Sequence, residues 1–307
     1  MMSTTFCEAV VNEVRAILGE GYTVVYGEVP KNNCVLSGIS IIREGESVSP
    51  TIYLESFHEN DNVVHVANKV IKVYRANVDS PEAVEARKAA DALNHLNSWQ
   101  YVKDKLRVRL FNRKTNDKFF ENLVCREWLD LMAVLYIQLN IGTANVNTVL
   151  FSKWNVSEEE VFAVAYENMK NDCEIADMSD PYALLCGDEE ALETFSLFDA
   201  NVELPTKPGM YALSNKKKNF GAGCILLPDA LHRFGRGKDV VILPSSVHEC
   251  LLFRADDVQN GALGDMSYSD LSEMITAINA TKVAPKDILS DHPYLYVAAE
   301  GKIMCVS

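Results

Sequence analysis

The densest run of chemically capable side chains in this 307-residue chain is Leu-Pro-Ser-Ser-Val-His-Glu-Cys at 243–250. It packs Ser245, Ser246, His248, Glu249 and Cys250 together. An imidazole beside a hydroxyl or thiol is the material of nucleophilic catalysis, with histidine as the base, so a hydrolase is one reading. Working triads, however, assemble in space and need an orienting group and oxyanion donors. The chain has no GxSxG elbow and no papain-type cysteine context. The run therefore reads first as a hairpin loop whose hydroxyls and imidazole bond the backbone. Asp291-His292 is a second pair. With His248, and Glu249 beside it, it would complete a two-His, one-carboxylate metal set only if the fold brought the two stretches together. Pro293 biases His292 toward extended backbone, which favours a turn before the last hairpin instead. No metal and no cofactor is assigned.

Charge supplies two further candidates. Lys105, Arg107, Arg109 and Arg113 fall on one face of an alternating strand with Phe111 among them, the pattern of a single-strand nucleic-acid platform. The chain's net charge of −14 opposes general attraction to nucleic acid or an anionic membrane, so internal acidic partners or a solvated face are favoured for this strand. Residues 151–210 hold fourteen Asp and Glu against three Lys and Arg, which places −11 of the −14 there. Glu158, Glu159, Glu160, Asp188, Glu189 and Glu190 could meet a basic protein partner, although such runs usually solvate a helix face. The leading reading is a non-enzymatic intracellular interaction or regulatory protein. A hydrolase at His248 and nucleic-acid binding at 105–113 are the alternatives.

Two glycine stretches lack phosphate-loop spacing: Gly221-Ala-Gly223 has no third glycine, and Gly235-Arg-Gly-Lys238 no following Ser or Thr. Both read as turns. The eight cysteines form no CxxC pair, so free thiols are expected rather than a zinc framework. Residues 1–5 carry no positive charge and no apolar run reaches membrane-spanning length, so a cytoplasmic protein without a membrane segment is expected.

The elements that must position these residues read as mixed α+β. Helical periodicity covers 4–18 and 62–76, strands are expected at 22–29, 35–43 and 51–57, and a helix starts at Ser80-Pro81. Strands follow at 105–113, 129–139 and 144–151, then a helix capped by Ser157. Short helices are expected at 180–185 and 188–195. After these come strands at 210–214, 239–243 and 249–253, a helix over 268–280 and a terminal hairpin at 294–306. Two units are expected, each a mainly antiparallel sheet with packed helices: 1–170, an acidic helical linker over 171–209, and 210–307.

Several stretches resemble an uncharacterised bacterial family, the domain of unknown function 5688. They are KNNCVLSGISI and SPTIYLE within 31–55, REWLDLMAVLY at 126–136, KWNVSEEEVFAVAYENM at 153–169, GAGCILLPDAL at 221–231, LPSSVHECLL at 243–252 and NATKVAPKDILSDHPYLY at 279–296. Asn155 stands where the family pattern has glycine. The resemblance implies an intracellular protein, often carried on mobile elements of gut-type bacteria, and it implies no reaction.

Overall fold

Helix α1 (Thr4–Leu18) begins where the Ser3 hydroxyl accepts the Phe6 amide at 3.4 Å and stops at Gly19, whose φ of +73° suits glycine. Its apolar stripe packs with α2 (Val63–Val78) on an antiparallel meander of β1 (Tyr22–Lys31), β2 (Cys34–Arg43) and β3 (Thr51–Tyr53). The computed structural model describes residues 3–45, 49–78, 95–139, 142–179, 192–259 and 266–306. The helix expected from Ser80 and the one at 180–185 lie outside them.

A four-stranded sheet follows. Strand β6 (Leu131–Leu139) pairs with β4 (Leu106–Asn112) on one side, and with β5 (Cys125–Trp128) and β7 (Gly142–Asn145) on the other. The strand expected over 144–151 ends early. Asn147 accepts the Leu150 amide at 2.7 Å and caps a helical turn, Thr148–Phe151, because an amide side chain offers the backbone an alternative to the ladder. Asn155 has a φ of +53°, a conformation that asparagine tolerates better than most residues where glycine is missing.

Helix α3 (Glu158–Lys170) starts at Ser157, which accepts the Glu160 amide at 3.1 Å. Beyond it lies an antiparallel seven-stranded sheet ordered β14-β13-β11-β12-β10-β8-β9. Its strands are β8 (Cys173–Asp177), β9 (Thr194–Ser196), β10 (Tyr211–Asn215), β11 (Val240–Pro244), β12 (Cys250–Arg254), β13 (Tyr294–Val297) and β14 (Lys302–Cys305). Part of the stretch expected to link two units is thus sheet. Cys173 and Ile175 alternate inward and are fully buried, so β8 sits between β10 and β9. The end of the helix expected at 188–195 falls in β9, drawn into pairing with β8.

One hydrophobic core joins the four-stranded sheet, α3, a 3₁₀ helix (Gly221–Leu226), α4 (Pro228–Gly235) and one face of the seven-stranded sheet. Helix α5 (Tyr268–Thr281) covers the other face with Leu271 and Ile275. The β1–β2 hairpin is clasped to this body at its tip. Asn32 donates to the carbonyls of Lys286 and Ile288, both at 2.9 Å, and Asn116 donates to the side-chain oxygens of Asn32 and Asn33 at 2.9 Å. Asn32 and Asn116 are buried, so each amide replaces lost water with protein partners.

Candidate functional site

Strand β4 alternates as expected, with Leu106, Val108 and Leu110 buried in the core. Its opposite face is the informative one. Arg107 is paired with Asp172 at 2.5 Å, and Arg113 with Glu127 at 2.8 Å. Lys105 donates to the Tyr101 carbonyl at 2.7 Å and lies over that ring. These cations have partners within the chain and do not form the continuous basic platform considered for nucleic acid.

Arg109 differs from its neighbours. It is 6% exposed, and its guanidinium lies 4.4 Å from the Phe220 ring centre, 5.0 Å from Phe111 and 5.1 Å from Tyr136. One Nη donates to the Asn145 side-chain oxygen. The Nε is buried with no hydrogen-bond partner, and among the described residues no carboxylate pairs with the group. Burial lowers its pKa to about 10, against a smaller opposing effect of Tyr136, so it stays charged at neutral pH. Burial raises the Tyr136 hydroxyl to about 12, partly offset by Arg109. That phenol is therefore neutral and supplies no counter-charge.

The Phe220 wall is built by local geometry. Asn215 Oδ1 accepts the amides of Lys217 and Asn219, and its Nδ2 donates to the Asn219 carbonyl at 2.7 Å. Phe220 then adopts a left-handed φ of +56°. A Cβ on Gly221 would come within 2.1 Å of Ser214 Oγ and 2.6 Å of the His248 carbonyl, and one on Gly223 within 2.5 Å of the Val108 carbonyl. The two glycines are therefore close-packing positions that seat the 3₁₀ helix against β10 and β4.

Arg109, Phe111 and Phe220 line a cleft of about 580 Å³ between the β1–β2 hairpin and the body. Its charged lining residues are Lys31, Arg109 and Lys286 against one carboxylate, Asp287, with His248 beside it. The Asp287 oxygen lies 3.4 Å from His248 Nε2. In an acidic chain this is a local reversal of sign, and a cavity of this size accepts a small organic molecule.

His248 lines the cleft as a positioning group. Its Nδ1 accepts the Phe220 amide at 3.2 Å, and its ring packs against Phe220. Its Nε2 lies 3.4 Å from an Asp287 oxygen, so both ring nitrogens face groups of the chain itself. Ser246 Oγ accepts the His248 amide at 3.1 Å, and Ser245 donates to Glu249 at 3.3 Å. Cys250 is fully buried, and burial pushes its thiol far above the ordinary range. The two serines bond within the loop, while the imidazole reaches out to Phe220 and Asp287.

Asp291 and His292 meet other partners. His292 Nδ1 lies 2.8 Å from Asp291, while its Nε2 faces Asp130 at 3.7 Å. Glu158 and Glu159 both approach Arg126, at 2.8 and 3.6 Å. Glu160 supplies a backbone amide to the helix cap. Asp188, Glu189 and Glu190 lie outside the described residues. Sequence reasoning placed Arg109 on the right face but missed Phe220, Tyr136 and Asn145, for which no local signal existed.

Among the described residues, no helix is long and apolar enough to cross a membrane. No curated protein and no solved structure matches the chain. A family model matches residues 3–298, nearly the whole length, and the chain belongs to that family of unknown function, DUF5688.

Proposed function

We propose that this protein binds a small organic anion, a carboxylate or phosphate with an apolar or aromatic body, in the cleft floored by Arg109. The observation that carries the reading is a buried guanidinium with an unpartnered Nε. A buried cation lacking a counter-ion costs several kcal/mol, and rings at about 5 Å recover only part of that. An incoming oxyanion would accept the Nε–H and supply the missing charge, with planar geometry that favours carboxylate and phosphate. Phe220 and Phe111 would contact the ligand's body, and Lys31 and Lys286 add positive potential at the walls. An intracellular regulator that responds to a metabolite-sized anion is consistent with this chemistry.

A fragment panel of aromatic and aliphatic carboxylates and phosphates, titrated by calorimetry, tests the proposal. At least one class should bind the wild type and lose affinity at least tenfold in Arg109→Met. Equal affinity in the two proteins, or no binding by any class, would remove the reading. Docking of a basic protein on the acidic stretch is a weaker proposal, because Glu158 and Glu159 already share Arg126 and Asp172 already holds Arg107.

A further inference from the structure

A second cluster lies where the edge of the seven-stranded sheet meets the β5–β6 turn. Asp130 sits in that turn, directly after Leu129, which has a left-handed φ of +52°. His292 precedes β13, and Cys305 ends β14 opposite Tyr294. Ligand atoms of these three residues all lie within 4.8 Å of one another. His292 Nε2 is 3.7 Å from Asp130 Oδ2, and Cys305 Sγ is 3.5 Å from Asp130 Oδ1.

We infer that Asp130, His292 and Cys305 form a binding site for a zinc-type divalent cation. The orientation of the imidazole is the first reason. Its Nδ1 sits against the Asp291 carboxylate at 2.8 Å, with Ser290 Oγ at 3.4 Å. The tautomer that donates there leaves a lone pair on Nε2. That nitrogen is buried without a hydrogen-bond partner and faces a carboxylate oxygen beyond hydrogen-bond range. In that neutral tautomer two lone-pair bearers face each other, and a cation between them would be coordinated by both.

The spacing is the second reason. Metal–ligand bonds of about 2.0–2.3 Å at a tetrahedral angle put neighbouring ligand atoms roughly 3.3–3.6 Å apart. Cys305 Sγ and His292 Nε2 lie near this range from the two oxygens of one carboxylate, at 3.5 and 3.7 Å, and one ligand atom from each residue falls within 4.8 Å of the others.

The surrounding contacts are the third. Asp291 holds the far nitrogen of the imidazole, the arrangement that orients metal-bound histidines. The Tyr294 hydroxyl donates to Asp130 Oδ1 at 2.9 Å and fixes that carboxylate.

Thiolate, imidazole and carboxylate together select zinc or cobalt over magnesium and calcium. Three protein ligands leave a fourth position for solvent or an added anion. Cys305 is exposed, which gives the ion a route in. On binding, the thiol proton passes to solvent and the sulfur becomes the ligand.

The rival is an imidazolium held between Asp130 and Asp291 with no ion. Cobalt(II) titration of the reduced, metal-free full chain separates the two. The expected result is a thiolate-to-cobalt charge-transfer band in the near ultraviolet that saturates at one equivalent and is discharged by zinc. Cys305→Ser, on an exposed edge-strand residue, should keep the far-ultraviolet circular dichroism spectrum and lose the band. His292→Gln should raise the cobalt dissociation constant at least tenfold. Absence of the band in the wild type, or its persistence in Cys305→Ser, would overturn the site.

Discussion

Arg109 and Arg254 are equally buried, each 6% exposed, and both lie against aromatic rings. Their polar surroundings differ. Arg254 donates to the carbonyls of Phe234, Lys207 and Pro205, at 3.0, 3.2 and 2.6 Å, and faces the buried Asp257 at 3.7 Å. Arg109 has Asn145 and three rings. A buried guanidinium whose donors are spent on the chain's own carbonyls ties the fold together. One with an idle donor in a cleft leaves that donor for the anion proposed above. Burial alone does not separate these roles; the count of partners does.

The most severe way to break the contrast is to remove Arg254. Arg254→Met strands the Asp257 carboxylate and three carbonyls, and should lower unfolding stability by about 3–5 kcal/mol in urea denaturation. A change below about 1 kcal/mol would mean that Arg254 is no more structural than Arg109.

Arg109→Met should act in the opposite direction. Lowering of its pKa to about 10 corresponds to a penalty on the charged form of order 3 kcal/mol. The unliganded variant should therefore be as stable as the wild type or more stable, by up to about 3 kcal/mol. Marked destabilisation would recast Arg109 as a structural residue satisfied by its rings. The same shift fixes a sign with pH. The folded state releases the proton before the unfolded state does, so the Arg109 contribution to stability rises as pH increases through about 10. Wild type minus Arg109→Met, measured across that alkaline window, isolates it.

Ligand sharpens the comparison further. An anion at a hundred times its dissociation constant should stabilise the wild type by about 2.7 kcal/mol and leave Arg109→Met unmoved, as read by thermal unfolding. The smallest expected effect is at Asn145. Asn145→Ala removes the side-chain amide that accepts from the guanidinium, and should weaken anion binding by about 1 kcal/mol in calorimetry with little change in fold.

Much of the scaffold was legible because its signals are local. The alternation in β4, the periodicity of α1 and the Ser157 cap each span a few residues, and each formed where expected. The strand expected at 144–151 failed because the Asn147 cap outcompeted a β-favouring run. The candidate sites were less legible. Arg109 acquires its character from Phe220 in a distant turn and from Asn145, 36 residues away. Cys305 and Asp130 are 175 residues apart. Conversely, the serines of the dense 245–250 cluster bond within their own loop, which is what residues close in sequence most easily do, whereas His248 bonds Phe220, 28 residues away.

The asparagine clasp at the hairpin tip has a consequence for how the cleft would be governed. Asn32, Asn33 and Asn116 are neutral amides, so ionic strength and proton concentration have little purchase on the contact that joins the hairpin to the body. The approach of an anion toward Lys31, Lys286 and Arg109 is a matter of long-range attraction that salt screens. Anion arrival and hairpin attachment therefore answer to different variables: added salt should slow the on-rate and leave the amide clasp unchanged.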